Sequence, residues 1–544
     1  MNDEDRMGSI SRRAFLKAVA LGGTAIGLSG AAIEQLTRTA RVIAAPAGKD
    51  TLVIATDLEV TTFDPHIVYD NTVRITRGVY ESLVTLKGST PQIVPKLATE
   101  WTSTPDAKQW TFKLRPRVLF HDRTTLAADA VKGSFERLIK INRGFAWAFK
   151  TVVASVEAPD PMTVRFNLKT SDPAFLAKLA AVSGGLIVSQ KAVSEHAKGT
   201  DLAQAWLKEN IVGTGPYVVE RWDKGQQVIL KQFPEYWGGW KPNQFRRIVF
   251  KIVKEASTQR LMLERGDVDV ATIVAPDMID ALEKRPGIKI EESPTMRIFY
   301  VAMNTQREPL KDLKLRQALS YAFDYEGAKQ AIFNGRLAPL NGPLPDNDPA
   351  RLSASDKPYR FDLKRAKELL SQSIYPNGGF SLTCYLFEGD PTFRKAAEIL
   401  QANLKELRID VKIQEMASSV LLEKAGKPET APDLLPVRNY PDYADSSSMI
   451  GSTFGKDSWG TAGWNFSFYA NDRVEKLLAV ANTTTDQAKR LEMFREAQRI
   501  IVAEAPAIFI GTLLNRVPMK ANVQGYAFNP LLGNSLNLYE MSKS

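Results

Sequence analysis

The chain has 544 residues, of which 44% are hydrophobic, and a formal charge of +10. That length exceeds one ordinary domain, and that apolar content supplies substantial cores, so a disordered chain and a small disulfide scaffold are excluded. A lone cysteine, Cys384, excludes an intramolecular disulfide and any Cys-based metal site, and the scattered basic residues read as a solvated surface, with no nucleic-acid partner.

Residues 1–10 are polar. Ser11-Arg12-Arg13-Ala14-Phe15-Leu16-Lys17 then supplies a positive segment. Ala18 to Ile33 follows as about 16 weakly apolar, uncharged residues, short of the ~20 that span a bilayer. Ala45-Pro46-Ala47 fits the small-residue cleavage pattern. The paired arginines beside Phe-Leu-Lys are similar to a twin-arginine export signal. Residues 1–47 are therefore expected to be a cleaved leader, read by the twin-arginine translocase. No cysteine follows it, so a periplasmic chain without a lipid anchor is expected.

Thr51 to Thr56 reads as an opening strand, Trp110 to Leu114 as another, and Asp129 to Ile141 has helical spacing. Tyr217 to Phe233 reads as a hairpin turning near Asp223-Lys224-Gly225, and Arg247 to Val253 as a strand. Ser257 is placed to cap a helix that runs to Arg265 and stops at Gly266. Val268 to Ile273 follows as a strand. Asp312 opens a helix with Leu315, Leu319, Ala322 and Phe323 on one face. Proline and glycine from Pro339 to Pro358 mark a long surface connection. Ser381 to Phe387 alternates as a strand that buries Cys384. Phe393 to Leu407 reads as a helix and Ile409 to Ile413 as a strand. Val474 to Ala481 and Ala488 to Ala503 read as closing helices. The mixture argues α/β layers.

Catalytic signatures are missing. The three histidines, His66, His121 and His196, are never four apart, so no HExxH zinc helix exists. There is no G-x-S-x-G elbow and no P-loop. Gly213-Thr214-Gly215-Pro216-Tyr217 lacks a third glycine and leads into a strand, so it fails as a dinucleotide loop. No cofactor and no enzyme activity are expected, although a hydrolase needing only two carboxylates stays open as the other class. His66 and His121 are expected to satisfy buried hydrogen bonds. Gly213 and Gly215 are expected to permit unusual backbone angles.

Several separated segments, taken in order, resemble one family. They are Thr62-Phe63-Asp64-Pro65-His66, Val79-Tyr80-Glu81-Ser82-Leu83, Leu97 to Trp101 and Phe120-His121-Asp122. Val212 to Tyr217, Tyr236-Trp237-Gly238-Gly239, Gly266-Asp267-Val268-Asp269, Asn304 and Arg316 to Asp324 continue the series. Together they look like the extracellular solute-binding proteins of ABC transporters, family 5, the peptide/nickel class, over about Leu52 to Ile510. Three positions depart from the pattern. Arg123 and Arg408 stand where glycine is usual, and Ala127 replaces a threonine cap at a cost of roughly 1 kcal/mol.

The resemblance implies an α/β, two-lobed periplasmic-binding-protein fold (class II, peptide-binding type) with an inserted α/β domain and a hinge of two crossing strands. Lobe I would comprise residues 48–84, 211–294 and 513–544, the inserted domain 85–210, and lobe II 295–512. The ligand would be an oligopeptide or peptide-like solute passed to an ABC permease by a monomer. An oligosaccharide or opine-type solute is the alternative, and nickel is not expected with so few histidines. In Tyr440-Pro441-Asp442-Tyr443-Ala444-Asp445, Asp442 matches the family's acceptor of a ligand ammonium group. Dipeptide binders carry an arginine for the ligand carboxylate where this chain has Phe387, so Arg438 or Arg394 is a possible replacement. Tyr440, Tyr443, Trp459, Trp464 and Phe466 are expected near the cleft, as lining or as core.

Overall fold

Two long strands, Ile288–Met303 and Ala507–Lys520, pair antiparallel from Ile288 opposite Lys520 to Ala302 opposite Ala507. In the computed structural model, which describes residues 48–356, 359–532 and 536–544, they sit side by side in one large sheet. Beyond Ile288–Met303 lie Leu434–Asn439, Phe380–Phe387 and Ile409–Met416. Beyond Ala507–Lys520 lie Val270–Ala271, Thr51–Thr56, Arg247–Ile252, Gln227–Gln232 and Tyr217–Asp223. The pair therefore threads both lobes. Its register shifts between Pro294 and Ile298. Proline has no N–H to give to the ladder, so pairing lapses there. The predicted leader lies outside the described residues.

Three large cores form around this frame, beside a smaller one that holds Val249, Leu263 and Leu282. One contains Phe299, Leu319, Phe323, Leu400, Phe454 and Phe494 and fills the lobe on the Leu434–Asn439 side. A second contains Leu52, Ile54, Phe63, Tyr217, Phe250 and Met519 on the other side. The third packs Phe112, Phe135, Phe149, Phe166 and Phe175 against a four-stranded antiparallel sheet. That sheet runs Ala98–Ser103, Gln109–Leu114, Thr163–Leu168, Val153–Asp160, with helix Ala128–Ile141 against it. Met296, Tyr443 and Leu531 join this third core from distant parts of the chain.

Most of the resemblance motifs are fold devices. Buried Glu81 accepts from Thr214 Oγ1 at 2.8 Å, Tyr236 Oη at 2.8 Å and Trp237 Nε1 at 2.9 Å. Lys96 Nζ lies 2.9 Å from it. Three motifs thus meet on one carboxylate, which is paired and fully hydrogen-bonded as a buried charge must be. Asp64 takes both Nη atoms of Arg137, at 2.8 and 2.5 Å. His66 Nδ1 lies 2.9 Å from Arg137 Nη1, and its Nε2 lies 3.0 Å from Leu186 O. A guanidinium cannot accept and a carbonyl cannot donate, so this imidazole is neutral with its proton on Nε2. His121 Nε2 lies 3.0 Å from Gly215 O, while its Nδ1 lies 3.3 Å from the Gly213 amide.

Several local expectations need correction. The helix expected from Ser257 begins at Ala256, after Glu255, and no side chain caps it. Gly266 ends it at φ +83, as a left-handed cap position should. The strand expected over Val268 to Ile273 shrinks to Val270–Ala271. The helix expected from Phe393 starts at Pro391, where Asp390 caps it. Gly213 and Gly215 do not have positive φ. They are needed for space, since a Cβ at Gly213 would sit 2.2 Å from Val79 O and one at Gly215 2.7 Å from the same oxygen. Arg123 and Arg408 keep the left-handed conformation that glycine favours, at φ +63 and +58.

Candidate functional site

Strand Leu434–Asn439 ends at a loop held at several points. Asn439 Oδ1 accepts the Tyr440 amide at 2.8 Å, and its Nδ2 donates to Thr453 Oγ1 at 2.7 Å. The Asp442 amide donates to Ser448 Oγ at 2.8 Å. Asp445 caps helix Ser446–Phe454 by accepting from the Ser447 amide, and it also pairs with both Nη atoms of Arg490. The loop is therefore rigid, and its two acids have different tasks. Asp445 is structural. The Asp442 side chain caps no backbone group among the described residues; its Oδ1 accepts from Tyr69 Oη at 2.5 Å, 373 positions away in the chain. Burial raises the Asp442 pKa, and the Tyr69 bond opposes this.

Asp442 faces a cavity of about 680 Å³, which Tyr69, Trp147, Tyr443, Ser447 and Trp464 also line. Tyr69, Trp147 and Trp464 are each 42 to 49% exposed, unusual for such large rings. A second cavity of about 610 Å³ is lined by Arg74, Arg297, Arg336, Arg438 and Arg516, with Asp57 and Asp390. Each cavity draws its lining from distant parts of the chain, with Tyr69 and Trp464 in the first and Asp57 and Arg516 in the second.

The expected site residues divide. Asp442 and Trp464 line the first cavity. Tyr440 is 45% exposed, and its ring lies 5.2 Å from the Arg297 guanidinium. Tyr443 also lines the first cavity but is buried in the third core, with Lys178 Nζ 5.5 Å from its ring. Arg438 lines the second cavity, where its fork grips Asp390 at 2.7 and 3.2 Å. Arg394 is turned to Glu415 at 2.6 Å on an exposed helix face. Phe387 packs 5.9 Å from Phe393, and Trp459 donates its indole N–H to Tyr469 O at 2.8 Å; neither lines either cavity. Phe466 is in the core.

Tyr69, Trp147, Arg74 and Arg297 were not foreseen. Arg297 carries a readable signal, as the lone charge in the apolar run Met296 to Met303. Tyr69 carries none, because its partner is 373 residues away.

Known proteins share this architecture. The model of bacterial extracellular solute-binding proteins, family 5, matches residues 92–461. The probable D,D-dipeptide-binding periplasmic protein DdpA of Escherichia coli (strain K12) is 35% identical over 503 residues, covering 91% of this chain and 95% of that protein. A dipeptide-binding protein of the same strain is 28% identical, covering 91% and 95%. Among solved structures, a periplasmic binding protein DppA from Helicobacter pylori, in complex with the peptide STSA, superposes with a TM-score of 0.77. Its identity is 27%, and the match covers 91% of this chain and 98% of that one. The architecture of two lobes joined by crossing strands is thus shared with these proteins, and the chain belongs to the bacterial extracellular solute-binding proteins, family 5.

Proposed function

We propose that the chain captures a dipeptide, oligopeptide or similar amine-bearing solute between its lobes and delivers it to an ABC permease. The observation that carries this reading is Asp442. Its carboxylate is presented into the cavity by a rigid loop, and Oδ2 has no partner among the described residues. A charge-assisted hydrogen bond to a ligand ammonium group there is strong and directional. Lobe closure needs contacts with both lobes, because a ligand that binds open and closed forms equally shifts nothing. The Tyr69–Asp442 bond supports such closure, since it joins the lobes beside the ligand position. The named relatives are dipeptide binders or hold a peptide.

The same reading takes residues 295–512 as lobe II and 85–210 as the inserted domain. It makes the protein a periplasmic monomer exported by the twin-arginine translocase, and a carrier rather than an enzyme. Thermal shift with dipeptides, their N-acetyl forms and oligosaccharides tests it. At 100 times Kd a bound ligand adds about 2.7 kcal/mol. Dipeptides with a free amine should raise the melting temperature, without being hydrolysed. A response to sugars alone, or peptide turnover, would overturn it.

A further inference from the structure

We infer that Arg297 anchors a carboxylate of the bound solute, so that the cleft has an anion subsite on the crossing strand beside the cation subsite at Asp442. The inference rests on the amine-binding reading above and names the second group that the solute must carry.

Four of the five arginines around the 610 Å³ cavity are held by the protein itself. Arg438 grips Asp390. Arg516 is paired with Asp280, Glu283 and Glu292, and Arg336 with the same three acids. Arg74 donates to Thr56 Oγ1 at 3.0 Å and lies 3.6 Å from Asp57. The Arg297 side chain, among the described residues, has neither a hydrogen bond nor an ion pair. Its one contact of this kind is the Tyr440 ring face, 5.2 Å away.

Structural arginines in this chain look different. Arg316 spends its donors on the carbonyls of Leu310, Lys311 and Glu504. Arg297 is half-buried, and burial lowers its pKa; Tyr440 offsets part of that effect, and the like charge of Arg438 adds to it. A desolvated guanidinium without an anion is costly, and a carboxylate from a solute relieves the cost. The planar fork suits a carboxylate, which it can take through two parallel N–H bonds.

Position gives the solute its shape. Arg297 stands where the crossing-strand ladder lapses, between Pro294 and Ile298. It lines the 610 Å³ cavity and also a small one of about 70 Å³ that it shares with Tyr440. Tyr440 and Asp442 are two residues apart, at most about 7 Å along the backbone. Cation and anion anchors therefore flank one short segment. They suit a solute that carries both an ammonium and a carboxylate group, whether that carboxylate is a peptide terminus or an acidic side chain.

The test uses the mature chain and titration calorimetry. The probes are L-Ala-L-Ala and D-Ala-D-Ala as free acids, C-terminal amides and N-acetyl derivatives, together with L-Ala-L-Asp amide. Wild type should bind at least one free acid about tenfold or more tighter than its amide, the discrimination a bidentate ion pair provides. Rescue of amide binding by the aspartyl side chain would assign the subsite to side-chain carboxylates instead of termini. Arg297→Gln should bring acid and amide within threefold yet keep the preference for a free amine over N-acetyl. Arg297→Lys should fall between, and unchanged melting temperatures would show both variants folded. An Arg297→Gln protein that keeps the wild-type preference for the acid overturns the inference and leaves the amine-binding reading intact. A wild type that binds none of these probes overturns the amine-binding reading, and this inference with it.

Discussion

Tyr69 Oη donates to Asp442 Oδ1 at 2.5 Å, joining two residues 373 positions apart in the chain. The bond uses one carboxylate oxygen and leaves Oδ2 without a hydrogen-bond partner among the described residues. Tyr69 thereby orients the anion and ties distant parts of the chain at the point where a solute's amine is proposed to bind. Because the tyrosine is nearly half exposed, the tie is weak enough to open in water.

Tyr69→Phe removes the donor and keeps the ring. Dipeptide affinity should fall about tenfold, roughly 1.4 kcal/mol, mostly through faster dissociation. Stopped-flow release measurements check this; an unchanged dissociation rate would remove Tyr69 from the closing device.

Glu81→Gln should cost about 3 kcal/mol or more in urea melts. It leaves the Lys96 ammonium without its carboxylate and forces a new arrangement on Thr214, Tyr236 and Trp237. A loss under about 1 kcal/mol would show that the three motifs do not depend on this acid.

Gly213→Ala should be strongly destabilising, because the added Cβ meets backbone at 2.2 Å. Gly451→Ala should be neutral or stabilising by about 0.5–1 kcal/mol, since it is helical and nothing lies within 4 Å of its Cβ. Equal melting temperatures for the two variants would refute the close-packing account.

Acid should destabilise the protein through His66, whose pKa is lowered to about 4 by burial, then by Arg137. Its folded pKa lies below the unfolded 6.5, so the unfolded chain takes up the proton first. This stabilisation is complete above about pH 6.5 and is lost as pH falls towards 4, up to about 3 kcal/mol. Asp348 works the other way over part of the window: burial raises it to about 6, so its contribution is present at low pH and lost as pH rises from about 4 to 6. Urea melts of wild type and His66→Gln across pH 4 to 7 should differ in slope; parallel curves would contradict the neutral imidazole.

Much of the fold was legible because it is locally encoded. Asp312 does cap the helix Leu313–Ala322, and the alternation from Ser381 to Phe387 does bury Cys384. Sheet order was not legible from periodicity: Val270–Ala271 is a strand because it lies between Thr51–Thr56 and Ala507–Lys520, and its own two residues carry almost no signal. The motif resemblance supplied the two-lobed architecture that periodicity could not. At the candidate site, Asp442 was singled out by its segment, and it does line a cavity. The aromatics near it could not be sorted from sequence, because packing alone decides that Trp464 faces a cavity while Phe466 fills a core. Arg438 and Arg297 look alike as single charges on strands. What separates them is Asp390, which is close to Arg438 only after folding.

The most direct measurement is titration calorimetry of wild type and Asp442→Asn with a dipeptide and its N-acetyl form, between pH 4 and 8. Wild type should bind the free amine at least a hundredfold tighter than the N-acetyl form at pH 8. Affinity should fall with pH as Asp442, its pKa raised by burial, takes up a proton. Asp442→Asn should lose both the preference and its pH dependence while keeping its melting temperature. An Asn variant that still prefers the free amine, with the wild-type pH profile, would contradict the account.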